Sequence, residues 1–185
     1  MKRAILLVGL LVVIVLVGAV FWWYNTKSYS PENHVTFEDG DLHIVVSYNR
    51  PYKKGRLIFG GLVPYGKTWR TGANEATVLE TNKDLYIDGK KLQQGKYSVW
   101  TVPGEQQWQV IFNTTIPPWG IDVMKDGEAA RDLDAAEVIV SVPSMNSPKE
   151  IEQFTMTIEK VNDSMELVLM WDRTLVVVPI TLSAQ

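Results

Sequence analysis

The stretch Leu42-His-Ile-Val-Val-Ser-Tyr48 decides the fold. Leu42, Ile44, Val46 and Tyr48 alternate with His43, Val45 and Ser47, the period of a strand with one face in a core. Further strand-like runs rich in Val, Ile, Thr and aromatic residues follow at 56–60, 75–81, 84–88, 97–102, 107–113, 136–142, 151–160, 165–171 and 174–180. Turn pairs punctuate them: Asp88-Gly89, Gln94-Gly95, Pro103-Gly104, Asp126-Gly127, Asn162-Asp163 and Asp172-Arg173. The best helical window, Glu128 to Glu137, is short and acidic. The pattern predicts an all-β fold, a single antiparallel β-sandwich domain over residues 42–182.

Upstream the chemistry changes. Residues 1–24 include 20 apolar side chains, whereas the rest of the chain is about 40% apolar, ordinary for a water-soluble domain. Ala4 to Tyr24 carries no charge, and at 1.5 Å per residue it reaches roughly 31 Å, the thickness of a bilayer core. It ends in Phe21-Trp22-Trp23-Tyr24, side chains suited to the headgroup level, and begins after Lys2-Arg3, which favour a cytoplasmic N-terminus. This reads as one N-terminal transmembrane helix, a bilayer anchor over residues 4–24 within a segment 1–24, followed by a polar tether over 25–41. A cleaved signal peptide, cut after Val17-Gly18-Ala19, is the competing reading; the long apolar run and the sticky Val-Phe-Trp-Trp terminus left by cleavage favour the anchor. The expected location is a bacterial cytoplasmic membrane, single-pass, with the soluble domain periplasmic. With no cysteine in the chain, disulfide, thiol and lipoprotein-anchor chemistry are excluded.

Function is harder to read. Gly61-Leu-Val-Pro-Tyr-Gly-Lys67-Thr68 matches the G-x-x-x-x-G-K-T nucleotide pattern. The pattern needs a helix starting at Lys-Thr, and Trp69-Arg-Thr-Gly72 offers none, so no nucleotide is expected. With 16 basic against 21 acidic side chains after Tyr24, no nucleic acid is expected either. His34 and His43 lie apart from any ligand cluster, so neither a metal nor another cofactor is expected.

The stronger signal is the long loop from Asn49 to Asn74. Between Ile44 and Asn74 there is no Asp or Glu, while Arg50, Lys53, Lys54, Arg56, Lys67 and Arg70 are interleaved with Tyr48, Tyr52, Phe59, Tyr65 and Trp69. Such a loop suits an anionic glycan or another envelope component, guanidinium and ammonium pairing with its charge while rings stack on sugars. Anionic headgroups are a further target. The expected binding residues are Tyr65, Lys67, Trp69, Arg70, Asn74 and Glu75, with Trp69 and Trp119 exposed. Equally, the loop can pack against the acidic region 122–152, where eight acids face three bases, and Arg70 and Glu75 can form a buried structural pair. A small hydrolase using Glu75, Asp132 or Asp134, and a plain structural spacer, are the alternatives; no catalytic residue is assigned.

From Ser47-Tyr-Asn-Arg-Pro-Tyr to Trp69-Arg-Thr-Gly-Ala-Asn-Glu-Ala-Thr77, then through Gly95-Lys-Tyr-Ser-Val-Trp100 and Trp108-Gln-Val-Ile-Phe-Asn113, the sequence resembles a bacterial family of unknown function, number 2911. The resemblance covers about residues 42–182. It implies an extracytoplasmic, mostly β domain, usually behind a signal sequence or fused to other modules. It carries no established activity, so it transfers no catalytic residue. This chain departs from the family in its full-length anchor and at Thr68, where the family usually has an apolar residue.

Overall fold

The computed structural model describes residues 2–183, with side chains from Leu7 onward, Trp23 apart. The orientation reading of Lys2-Arg3 and the aromatic reading of Trp23 rest on side chains outside those described. Helix α1 spans Lys2–Tyr29. It is long and apolar enough to cross a membrane, and none of its described apolar window is buried.

The strands are β1 (Glu32–Asp39), β2 (Leu42–Asn49), β3 (Thr77–Thr81), β4 (Leu85–Ile87), β5 (Lys90–Leu92), β6 (Gly95–Val102), β7 (Gln107–Asn113), β8 (Ile121–Asp122), β9 (Glu128–Ala129), β10 (Ala136–Val161) and β11 (Ser164–Thr181). Nine of them form one antiparallel sheet in the order β1-β2-β3-β6-β7-β10-β11-β4-β5, and β8 pairs with β9. The sheet becomes two layers because β10 changes partner along its length. Ala136–Pro143 pairs with β7, whereas Ser144–Asn146 and Ile151–Val161 pair with β11. Register shifts between Asn146 and Thr155 bend it, as bulges do.

Period two holds in three dimensions. Leu42, Ile44 and Val46 of β2, Val138, Val140 and Val142 of β10, and Val176, Val178 and Ile180 of β11 share one buried core. Tyr48 ties the layers together, its hydroxyl accepting from the Met156 amide at 2.8 Å. A small second cluster, Ala76, Trp100 and Ile111, sits apart from that core and is covered by Ala129, Ala130 and Ala136. That cluster helps hold the 121–134 segment onto the domain, together with the bond from Asn113 Nδ2 to the Asp132 carbonyl.

Four local expectations are corrected. The tether at 25–41 is the end of α1 followed by strand β1, whose Val35 and Phe37 pack on the core while Glu32, Glu38 and Asp39 stay in water. The polar face hid the strand. Glu128 to Glu137 is no helix but β9, a turn and the start of β10. The run at 56–60 is turn and bridge rather than strand, although Ile58 and Phe59 are buried. Finally, the runs at 165–171 and 174–180 form one strand. Asp172, at φ 54°, kinks β11 instead of ending it, and Lys53 holds its carboxylate at 2.6 Å.

Candidate functional site

The loop from Arg50 to Ala76 closes one end of the sandwich. Its apolar residues Ile58, Phe59 and Val63 join the core, and isolated bridges fasten it at Tyr52–Gln153 and Trp69–Thr101. The first part of its cationic run is largely engaged within the molecule. Arg50 donates to the Phe154 carbonyl at 3.1 Å and to the Thr155 hydroxyl at 2.8 Å, and Lys53 bonds both Glu150 and Asp172. Arg56 donates to the carbonyls of Tyr52 and Lys53. This half of the loop is structural.

The second half is different. Between the loop, the 121–134 segment and the end of α1 lies a cleft of about 1180 Å³. Lys67, Trp69, Arg70 and Asn74 line it from one side, Lys125, Glu128, Arg131 and Asp134 from the other, and Thr26, Tyr29 and Ser30 at the helix end. Among the described residues, five buried side-chain nitrogen or oxygen atoms have no hydrogen-bond partner, and three of them are Arg70 Nε, Arg70 Nη1 and Arg131 Nε. Both guanidiniums line this one cleft. Burial alone pulls each below its ordinary pKa, with no acid to offset it. Buried donors left unpaired cost about 1–3 kcal/mol each, more when charged.

Rigid neighbours hold Arg70. Trp69 bonds Thr101 through both backbone groups, at 2.7 and 3.0 Å. Thr71 and Asn74 adopt positive φ values of 54° and 57°, a conformation that is rare for a β-branched residue such as Thr71. It persists because the Thr71 carbonyl accepts from the Thr77 hydroxyl at 2.7 Å and the Thr71 hydroxyl meets that of Thr101 at 3.2 Å. Gly120 packs under the stem of Arg70: a Cβ there would lie 2.4 Å from Arg70 Cδ.

The expected binding residues separate. Lys67, Arg70, Trp69 and Asn74 share the cleft. Trp69 is not an exposed platform, because its ring stacks on Trp171 with centroids 5.8 Å apart and meets Phe59, Trp108 and Phe154 edge-on. Trp119 is half-buried. Asn74 is buried and donates to the Ser30 carbonyl at 3.3 Å. Tyr65 lies on a different, smaller cavity of about 310 Å³ beside Phe59, Glu105 and Trp108. Glu75 is absent from both linings. Its carboxylate pairs with Lys27 of α1 and accepts from Asn49 Nδ2 at 3.0 Å. Burial pushes Glu75 up, but Lys27, its own backbone amide and Asn49 outweigh this and hold it below its ordinary value. The expected Arg70–Glu75 pair does not form.

Arg131 is the residue that sequence reasoning missed. Inside the acidic 122–152 region it reads as one of three bases among eight acids, and only the fold, which packs Ala129 and Ala130 against the Trp100 cluster, places it on the same cleft as Arg70. Asp132 also lines the cleft, but one oxygen accepts the Asp134 amide and the other the Thr115 hydroxyl.

Fold and cleft together define an all-β domain with two under-satisfied guanidiniums in one opening. The chain belongs to the family described as a protein of unknown function (DUF2911), whose model matches residues 30–180. No curated protein and no solved structure matches it.

Proposed function

We propose that this protein is a membrane-anchored binding module of the bacterial envelope, and that its cleft receives an anionic group of an envelope component between Arg70 and Arg131. One observation carries the reading: three of the five unpartnered buried polar atoms belong to guanidiniums lining one cleft. A carboxylate or phosphate supplies the acceptors they lack, in charge-assisted bonds about twice as strong as neutral ones. Lys67, exposed and without a salt bridge among the described residues, adds attraction at the mouth. The apolar helix α1 supports anchorage, with its N-terminus in the cytoplasm and the β domain outside. Hydrolysis by Glu75 has no such support, since that carboxylate is committed to Lys27 and Asn49 and lies off the cleft.

The test uses the full chain in detergent, with Trp69 and Trp171 as fluorescent reporters in the cleft wall. N-acetylmuramic acid (a carboxylate sugar) and glycerol 1-phosphate are titrated against N-acetylglucosamine and glycerol. At least one anion is expected to change the emission saturably, the neutral compounds are not, and Arg70→Met is expected to abolish the response. An unchanged response in Arg70→Met, or no response to either anion, overturns the reading.

A further inference from the structure

The cleft is not placed at random on the domain, because the end of α1 forms part of its wall. Thr26, Tyr29 and Ser30 line it, only two to six residues after Tyr24 closes the apolar run. At 1.5 Å per residue, Ser30 lies about 9 Å beyond the hydrocarbon edge if α1 spans a bilayer, comparable with the roughly 5–8 Å depth of the headgroup layer. Several contacts fix the helix to the domain there. Lys27 bonds Glu75, Asn74 bonds the Ser30 carbonyl, the Arg50 amide bonds the Pro31 carbonyl at 2.9 Å, and the Lys54 ammonium stands 4.0 Å over the Tyr29 ring. The opening is therefore held beside the point where the chain leaves the membrane.

Its rim has an unusual composition for a water-facing surface. Met124 is 94% exposed and Val123 79%, on the turn between Ile121 and Lys125 that line the cleft; Leu133 (72%) and Leu62 (47%) line it themselves. Single exposed apolar residues mean little, but several at one opening need an apolar neighbour. Lys54, Lys67 and Lys125 stand among them, with Asp126, Glu128, Asp132 and Asp134 also on the lining; the cations beside apolar tips are the part suited to an anionic headgroup layer.

Resting on the anion-binding reading above, we infer that the cleft faces the bilayer and draws its ligand from it. The ligand is an anionic phospholipid whose headgroup phosphate meets Arg70 and Arg131, while its acyl chains stay in the leaflet beside α1 and the rim residues Val123, Met124 and Leu133 dip into that leaflet. No bond is made or broken.

The chain lacks cysteine, so one can be placed at will. Full-length Met124→Cys and Asp41→Cys, each carrying an environment-sensitive fluorophore, are reconstituted in nanodiscs of phosphatidylcholine with phosphatidylglycerol. Asp41 is the control, since the eight-residue β1 carries the chain roughly 26 Å from the helix end. The label at 124 is expected to shift to the blue and to be quenched by spin-labelled acyl chains; that at 41 is not. By native mass spectrometry, Arg70→Met is expected to retain about tenfold less phosphatidylglycerol than wild type. Equal quenching at both positions, or none at 124, overturns the membrane-facing cleft while leaving anion binding intact if N-acetylmuramic acid still requires Arg70. Undiminished lipid retention by Arg70→Met overturns the headgroup assignment, and both readings fall together if Arg70→Met leaves the soluble anions bound or if neither soluble anion binds the wild type.

Discussion

Glu75 accepts the ammonium of Lys27 and leaves Arg70, five residues earlier, without an acid. The loop therefore carries one charge that is used inside the molecule and one that is not. The first ties the N-terminal helix to the β domain, and the second faces the cleft.

The Glu75 contact predicts a pH-dependent junction. The folded-state pKa of Glu75 lies below its ordinary value of 4.5, so the pairing stabilises the protein above that value and is lost as the pH falls through the depressed one. At about one-third exposure the pair is worth no more than about 1 kcal/mol. Glu75→Gln at neutral pH should therefore quicken amide exchange at residues 27–33 up to about fivefold without melting the β domain. No change would show that the junction rests on Asn74 and Arg50 alone.

Arg70→Met separates binding from stability. An arginine kept for structure costs about 2–4 kcal/mol to remove, whereas a buried guanidinium with unpartnered donors is itself a burden on the fold. The variant should melt at or above the wild-type temperature in ligand-free buffer while losing anion binding. A sharp fall in melting temperature would make Arg70 structural.

Gly120→Ala tests how Arg70 is held. The added methyl meets Arg70 Cδ at 2.4 Å and Cβ at 2.8 Å, so the stem must move. Gly120 cannot yield easily, because its amide bonds the Asn74 carbonyl and its carbonyl accepts from Ala130. The expected cost is about 1–3 kcal/mol in thermal unfolding, with weakened anion binding.

Trp69 belongs to the core rather than to a ligand platform. Trp69→Ala should destabilise by about 2–4 kcal/mol, below the full cost of a buried tryptophan because the ring is half-buried. Trp69→Phe keeps the aromatic contacts and loses the Nε1 bond to the Gly72 carbonyl, at about 1 kcal/mol. Urea denaturation followed by circular dichroism measures both, and an unaffected Trp69→Ala would contradict the packing.

The alternation from Leu42 to Tyr48 and the β-branched runs carry the sandwich because burial on a pleated sheet has a period that a chain must display. Strand β1 escaped that logic, since only Val35 and Phe37 show on its inner face. The kink at Asp172 looked like a turn because a positive-φ aspartate serves both ends, and only the contact with Lys53 in space distinguishes them. At the site, the cationic loop was legible as composition, yet half of it is consumed by Glu150, Asp172 and backbone carbonyls. Arg131 was not legible, since its place on the cleft depends on how residues 121–134 pack against the Trp100 cluster.

Whether Arg70 and Arg131 hold one anion is decided by isothermal titration of the full chain with glycerol 1-phosphate and N-acetylmuramic acid, in wild type, Arg70→Met, Arg131→Met and the double variant. If the two guanidiniums hold one anion, each single variant weakens binding by at least about tenfold, and the double loses much less than the sum of the two. Strictly additive losses would place the two arginines on separate sites. Wild-type affinity in all four proteins would contradict the account outright.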